Sequence, residues 1–67
     1  MNEREIFNGS EIRRAFYYMR QGEAVIVGDA ISGKRLLDFA KQRGIQATIE
    51  PMGVVYKVTP NNEEENK

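Results

Sequence analysis

The residues best placed to do chemistry lie between Gly28 and Arg35, in the segment GDAISGKR. Its first seven residues fit G-x-x-x-x-G-K, a loop whose backbone N–H groups surround phosphates and whose lysine reaches the terminal phosphate. A Ser or Thr that binds Mg²⁺ follows the lysine in that loop, but Arg35 stands here and cannot be a metal ligand. No strand-end aspartate follows, and 67 residues are too few for the parallel sheet of such enzymes. We interpret the segment as a tight strand–helix connection; the functional alternative is an anion held by Lys34 and Arg35 at a helix N-terminus.

A second candidate surface lies on the first predicted helix, where arginine and tyrosine residues are interleaved. Arg13, Tyr17 and Arg20 share one outward stripe at helical spacing, and Arg14 begins the next stripe with Tyr18. Such surfaces bind RNA or single strands by charge and stacking, and both residue types are also favoured at protein interfaces. A solvated helix face is the simpler interpretation. The candidate binding surface comprises Arg13, Arg14, Tyr17, Arg20, Lys34 and Arg35.

The residue inventory excludes several chemistries. The chain has no Cys and no His, so disulfides, thiolate nucleophiles and the commonest metal ligands are missing. The carboxylates form no pair that suggests acid–base catalysis, since Glu11 has the position of a helix cap and Glu23 that of a turn residue. We therefore predict no catalytic, cofactor-binding or metal site, and a protein that is not an enzyme.

Charge and hydropathy place the chain outside the strongly basic and the membrane-spanning classes. Ten basic and ten acidic residues balance, but residues 1–59 carry nine Lys/Arg and seven Asp/Glu, a net charge of +2. Residues 60–67, PNNEEENK, carry −2 and contain no apolar residue, so we predict a disordered acidic tail. No apolar run approaches the roughly 20 residues that cross a membrane, and the N-terminus has no signal-peptide pattern. We expect a cytoplasmic protein without membrane contact.

The elements that position these residues follow from hydrophobic periodicity. Asn8 and Glu11 have the spacing of a capping box, and the apolar residues that follow predict a helix over about 10–21. Residues 24–27, AVIV, form a β-rich run without alternation, which indicates a strand that is buried on both faces or has neighbours on both sides.

A second helix and a hairpin follow. The second helix is predicted to end at Gly44. Residues 45–50 and 54–59 alternate between apolar and polar side chains, and Pro51-Met52-Gly53 between them has turn composition, so the sequence predicts a hairpin. Whether residues 4–7 form a first strand is left open.

These segments together predict an α+β two-layer sandwich with the order (β)-α-β-α-β-β, in which two helices cover one face of a small mixed sheet. The single domain is expected to span residues 1–59. A chain of 67 residues buries only about 60% of its unfolded surface, and oligomerisation is the remaining aid when disulfides and metals are missing. The other sheet face, with Val55 and one side of strand 24–28, is the predicted dimer surface.

Three stretches of the chain carry a family resemblance: RAFYYMRQGEAVIV (14–27), KRLLDFAKQRGIQ (34–46) and GVVYKV (53–58). Residues 11–59 resemble the TusA/SirA-like sulfur-carrier fold, which is related to the C-terminal domain of translation initiation factor three. The resemblance implies a helix that closes in a Gly-Glu turn, a hydrophobic strand, a second helix that ends near a glycine, and a final hairpin. It also implies where the chemistry of the family would lie, in a Cys-Pro-x-Pro motif whose cysteine carries a persulfide sulfur.

That motif is missing from this chain. It would fall near residues 5–8, Glu-Ile-Phe-Asn, and the chain has no cysteine. Sulfur transfer requires the thiolate as nucleophile, so the family mechanism is excluded. The expected function is that of a non-enzymatic TusA-like domain, an adaptor or regulator, that contacts a partner protein or a second copy. Nucleic-acid binding is the alternative, and anion binding at residues 28–34 is the third hypothesis.

Overall fold

The computed structural model describes residues 6–61. Two helices and four strands follow one another in the predicted order β-α-β-α-β-β, and the predicted α+β class is confirmed. The elements are β1 (Ile6–Phe7), a 3-10 turn (Gly9–Glu11), α1 (Ile12–Arg20), β2 (Val25–Val27), α2 (Ala30–Gln42), β3 (Gln46–Met52) and β4 (Val55–Asn61).

The four strands form one mixed sheet in the order β1-β2-β4-β3. β1 runs parallel to β2, and β4 lies antiparallel to both β2 and β3. The strand predicted at 24–27 therefore has a neighbour on each side, which is one of the two predicted alternatives. It is not fully buried on both faces, since Ile26 is half-buried. The question left open for residues 4–7 is answered for Ile6 and Phe7, which pair with β2; residues 4 and 5 lie outside the described residues.

The core lies between the two helices and one face of the sheet. Because Val25 and Val27 are both buried against the helices, Ile26 between them must point to the opposite side of the sheet. The buried apolar residues of the core are Phe7, Ala15, Met19, Val25, Val27, Leu36, Ala40 and Val58.

The sheet face opposite the helices is called the open face here, since none of the described helices covers it. The strand register places Ile26 between Ile6 and Lys57, and it places Glu50 next to Lys57. Alternation along β3 and β4 adds Thr48, Met52, Val55 and Thr59 to this face. Val55, which the sequence predicts here, is half-buried on it.

The hairpin differs from its predicted turn at residues 51–53. β3 continues through Pro51 and Met52, and a two-residue loop, Gly53-Val54, joins the strands. Gly53 has a φ of 72°, as glycine does at the first loop position of a type II′ turn. Pro51 thus lies in an edge strand, where proline is tolerated because one side of the strand needs no hydrogen-bond donor.

β4 also continues past the predicted end of the domain at residue 59. Pro60 is buried and pairs with Ala47, and Asn61 pairs with Gln46. These two residues, predicted to begin the tail, belong to the sheet because pairing with β3 holds them. The rest of the predicted tail, residues 62–67, lies outside the described residues.

Candidate binding surfaces

The segment that resembles a phosphate loop is helical. α2 begins at Ala30, directly after Asp29. The backbone N–H of Gly33 donates to the carbonyl of Asp29 at 3.1 Å, and the N–H of Ser32 donates to Oδ1 of Asp29 at 2.8 Å. Two of the donors that would surround a phosphate therefore have partners within the chain, and a carboxylate caps the helix N-terminus.

The hydrogen bonds to this cap stabilise its charged form. The backbone N–H of Ser32, followed by its hydroxyl, holds the pKa of Asp29 below its ordinary value. An aspartate is ionised at neutral pH in any case, and these bonds favour the ionised carboxylate further. An anion that binds at this helix terminus would have to displace the Asp29 carboxylate and would be repelled by its charge. These contacts therefore weigh against anion binding at residues 28–34.

Gly33 has a packing role. A Cβ built on this residue would overlap Cδ1 of Ile49 and would lie 3.4 Å from Cγ2 of Val27. Glycine at this position lets the first turn of α2 approach β2 and β3 closely. The interpretation of the segment as a tight strand–helix connection agrees with this contact.

Lys34 and Arg35 lie on different sides of α2, because consecutive helix residues are separated by about 100°. Nη1 of Arg35 lies 3.9 Å from a Cβ built on Gly9, at the start of the first helical segment. Lys34 shares the other flank of α2 with Asp38 and Lys41, at positions i+4 and i+7. The two cations are therefore not brought together into one site.

The predicted stripe on α1 is present at the surface. Arg13, Tyr17 and Arg20 are exposed, and Tyr17 retains 58% of its accessible surface. Arg14 and Tyr18 lie on the flank of α1 that faces β1. There the guanidinium of Arg14 and the ring of Tyr18 each lie 6.0 Å from the ring centre of Phe7.

Aromatic contacts join the two helices. The rings of Phe16 and Phe39 meet edge to face with their centres 5.2 Å apart. Arg43 stacks over Phe39 at 3.7 Å and donates from Nη1 to its carbonyl at 3.3 Å. Arg43 was not among the predicted binding residues, although its position four residues after Phe39 is the sequence signal for such a contact.

Positive charge is concentrated on the helical layer. Within residues 6–61, seven of the eight Lys/Arg residues lie in α1 or α2 or directly after α2, and the eighth, Lys57, is on the open face. Asp38 is the acidic residue within these two helices. The six residues of the predicted candidate surface all belong to this layer, which is called the basic layer below, with Lys34 on one flank and Arg14 on the other; their role in binding stays a prediction.

The open face carries exposed apolar residues on both of its edge strands and in the hairpin loop. Ile6 and Met52 retain 53% and 46% of their accessible surface, and Val54 in the loop retains 88%. Ile26 pairs with Ile6 and Val55 pairs with Met52, and both of these partners are half-buried. These five residues are called the apolar patch below.

A groove of about 370 Å³ lies between α2 and β3. Residue spacing does not predict this groove, because its shape depends on how a helix and a strand pack against each other. The residues that line the groove are Leu37, Asp38, Lys41, Gln46 and Ala47.

The described residues contain no group of three or more His, Cys, Asp or Glu side chains that is arranged to hold a metal ion. Neither of the helices in residues 6–61 has the length and apolar character needed to cross a membrane. Comparison with protein-family models, curated proteins and solved structures finds no match. The basic layer, the apolar patch and the α2–β3 groove are therefore the features from which a function can be inferred.

Proposed function

We propose that this chain is a non-enzymatic binding domain, an adaptor or regulator that acts through protein–protein contacts made by the apolar patch. One observation carries the proposal: Ile6, Met52 and Val54 retain 53%, 46% and 88% of their surface on the edge strands and hairpin loop of a sheet whose open face no described helix covers. Exposed large apolar side chains on one side of a sheet mark interaction sites. Methionine is also enriched at protein interfaces.

A second copy of the chain is the partner that this face favours. Glu50 pairs with Lys57 across the β3–β4 hairpin, and Met52 pairs with Val55. In a dimer whose open faces stack on each other, a two-fold axis can lie between the two sheets, parallel to β3 and β4 and midway between them. Glu50 of each copy then lies over Lys57 of the other, and Met52 lies over Val55. The face is thus complementary to itself in charge and in apolar contact. A homodimer would also bury apolar surface that a chain of this length leaves exposed.

Sedimentation velocity over a wide range of concentrations tests the homodimer. Met52→Glu places a charge in the patch without touching the core and is expected to shift the protein to monomer. Ile31→Glu is the matched control, because Ile31 is 68% exposed on α2, in the other layer. A wild-type protein that stays monomeric at every concentration contradicts the proposal, as does equal loss of association in both variants.

Charge reversal tests the two-fold arrangement itself. Glu50→Lys gives the open face two bases and Lys57→Glu gives it two acids, so each variant alone is expected to dissociate. An equal mixture of the two is expected to form heterodimers, because each base of one chain then faces an acid of the other. In the mixture, each variant still carries two like charges at positions 50 and 57, so pairing within one chain is not restored. Recovery of association therefore reports contact between copies. A mixture that stays monomeric contradicts this arrangement.

A relation to the TusA/SirA-like family is part of the same proposal. Its support is the order of elements that the resemblance implies, together with Gly22-Glu23 after α1 and Gly44 after α2. Since the chain has no cysteine, the proposed role is contact with a protein and not transfer of sulfur.

Nucleic-acid binding by the helical layer is the second candidate function. The observation that favours it is the concentration of Lys/Arg on this layer, with the exposed ring of Tyr17 between Arg13 and Arg20. Titration with mixed RNA and DNA at low salt tests it, because phosphate contacts contribute most there. The double variant Arg13→Glu/Arg20→Glu is expected to abolish binding, and Lys57→Glu on the open face is expected to leave it intact. Absence of binding by the wild-type protein at low salt rejects this function.

A further inference from the structure

β3 forms one edge of the sheet. Within the described part of the chain it pairs with β4 alone. Alternate residues of 46–50 therefore direct their backbone N–H and C=O groups away from the sheet, where they can pair with another extended chain. Pro51 has no N–H and limits this pairing at one end. The edge that is available for a further strand is thus residues 46–50.

The α2–β3 groove lies beside this edge. Its volume of about 370 Å³ is within the range of roughly 300–1,000 Å³ found for ligand pockets. Leu37 and Ala47 are half-buried and form its apolar part. A strand added next to β3 continues the pleat, so a side chain of that strand beside Ala47 points toward α2. The groove can therefore receive an apolar side chain from such a strand.

The flank of α2 above the groove is mainly basic. Lys34 and Lys41 lie on one side of the helix, with Asp38 between them. Their seven-residue separation corresponds to about 10 Å along a helix, and side chains four residues apart on a strand are about 13 Å apart. Flexible lysine side chains can span this difference. Acidic residues placed two positions before and two positions after an apolar residue can consequently reach both lysines.

We propose that the α2–β3 groove is a docking site for an extended segment of another protein with the pattern acidic-x-apolar-x-acidic. The segment adds a fifth strand at the edge of β3, and its apolar side chain contacts Leu37 and Ala47. Its two carboxylates contact Lys34 and Lys41. Main-chain hydrogen bonds supply affinity and the groove supplies specificity, as in other cases of strand addition. This surface is separate from the apolar patch and does not rest on the proposed homodimer.

A second copy of this chain is a poor occupant of the groove. Pairing two β3 edges about a two-fold axis brings the α2 helices of both copies side by side, with the flanks that carry Lys34 and Lys41 toward each other. Like charges at such a contact oppose association. An acidic segment has the complementary charge.

NMR titration of the isotope-labelled full chain with the end-blocked peptide Glu-Thr-Leu-Thr-Glu tests the proposal. The expected result is amide shifts over residues 46–50 and at Leu37 and Lys41, with new protection of edge amides against hydrogen exchange. An N-methylated form of the peptide, which cannot donate main-chain hydrogen bonds, and the peptide Lys-Thr-Leu-Thr-Lys are both expected to bind much more weakly. No shifts at millimolar peptide, or shifts confined to β1, β2 or α1, overturn the proposal.

Matched variants identify the charged contact. Lys41→Glu is expected to weaken binding of the acidic peptide roughly three- to fivefold, the size expected for one solvent-exposed ion pair. Arg13→Glu makes the same change of charge on α1 and is expected to leave binding unchanged. Met52→Glu, which tests the homodimer, should also have no effect here, so the two proposals can fail separately. Equal weakening by Lys41→Glu and Arg13→Glu, or equal binding of the N-methylated peptide, contradicts the proposed site.

Discussion

Replacement of Gly33 by alanine tests whether this glycine serves packing. Alanine favours a helix by up to about 1 kcal/mol relative to glycine, and Gly33 lies in the first turn of α2. The new Cβ would, however, overlap Cδ1 of Ile49 and lie 3.4 Å from Cγ2 of Val27. Cδ1 is the far end of the Ile49 side chain, but this side chain packs against the core, so moving it aside is expected to cost about 1–3 kcal/mol. We expect the cost to exceed the gain, so that Gly33→Ala lowers the free energy of unfolding by about 1 kcal/mol.

Ile49→Val removes the atom that the new Cβ would meet. Because Ile49 is half-buried, this change alone is expected to cost about 0.5–1 kcal/mol, the lower part of the usual range. In the Ile49→Val background, Gly33→Ala keeps its helix gain and loses the overlap, so it should stabilise the protein by up to about 1 kcal/mol. The coupling free energy between the two positions is then about 2 kcal/mol, within the range for residues in contact.

Urea unfolding followed by circular dichroism gives the free energy of unfolding for the wild-type protein, both single variants and the double variant. For a domain of this size, 1 kcal/mol corresponds to a shift of about 4–8 °C in the thermal midpoint, so thermal scans provide a second measurement. A coupling free energy near zero would refute the close approach of α2 to β3. If Gly33→Ala left stability unchanged but altered a response to added phosphate, the glycine would have a ligand-binding role.

Three further changes test local contacts. Asp29→Ala should lower the melting temperature, whereas Asp29→Asn should retain the helix cap. Hydrogen bonds lower the pKa of Asp29 in the folded state. The contribution of Asp29 to stability is therefore present above the unfolded pKa and is lost as pH falls through the folded pKa. If acid lowered the melting temperature of the Asp29→Asn variant as much as that of the wild-type protein, this reasoning would be contradicted. Phe16→Ala removes the contact with Phe39 and should lower the free energy of unfolding, measured in urea, by about 2 kcal/mol. Tyr17→Ala, the control on the exposed face of α1, should lower it by less than about 1 kcal/mol. Equal losses would argue against the helix–helix contact. Gly53→Ala should cost about 1 kcal/mol because of the positive φ of this residue; an unchanged free energy of unfolding would argue against the type II′ loop.

The helices and the interior strand were predictable because their signals are local. The spacing of Asn8 and Glu11 predicted a capping box, and the N–H of Asn8 donates to Oε1 of Glu11 at 3.0 Å. The unbroken apolar run at 24–27 predicted a strand with two neighbours. In each case the deciding residues lie within a few positions of one another, so the sequence pattern contains the information.

The hairpin loop was not predictable in the same way. Pro51 suits the corner of a turn and also suits an edge strand, and only its pairing with Tyr56 across the hairpin selects the strand. Pro60 is kept in β4 by its pairing with Ala47 for a similar reason. The α2–β3 groove depends on the distance between elements that are far apart in the chain, which residue spacing does not encode.

The divergence of Lys34 and Arg35 has a different cause. The helical period separates adjacent residues by about 100°, so two cations expected at a helix N-terminus could already be assigned to different flanks. The start of α2 at Ala30 places Lys34 and Arg35 inside the helix, where this separation applies.

The position of β4 has a consequence for how the chain folds during synthesis. β4 is the last described strand in the chain, yet it lies between β2 and β3. A nascent chain that has released everything up to residue 54 can form its helices, but its sheet still has a gap at the centre. The edges of β2 and β3 then remain open to other chains, which exposes the unfinished protein to aggregation. Folding on the ribosome must therefore wait for residues 55–61, and the late pairing of distant strands is expected to limit its rate.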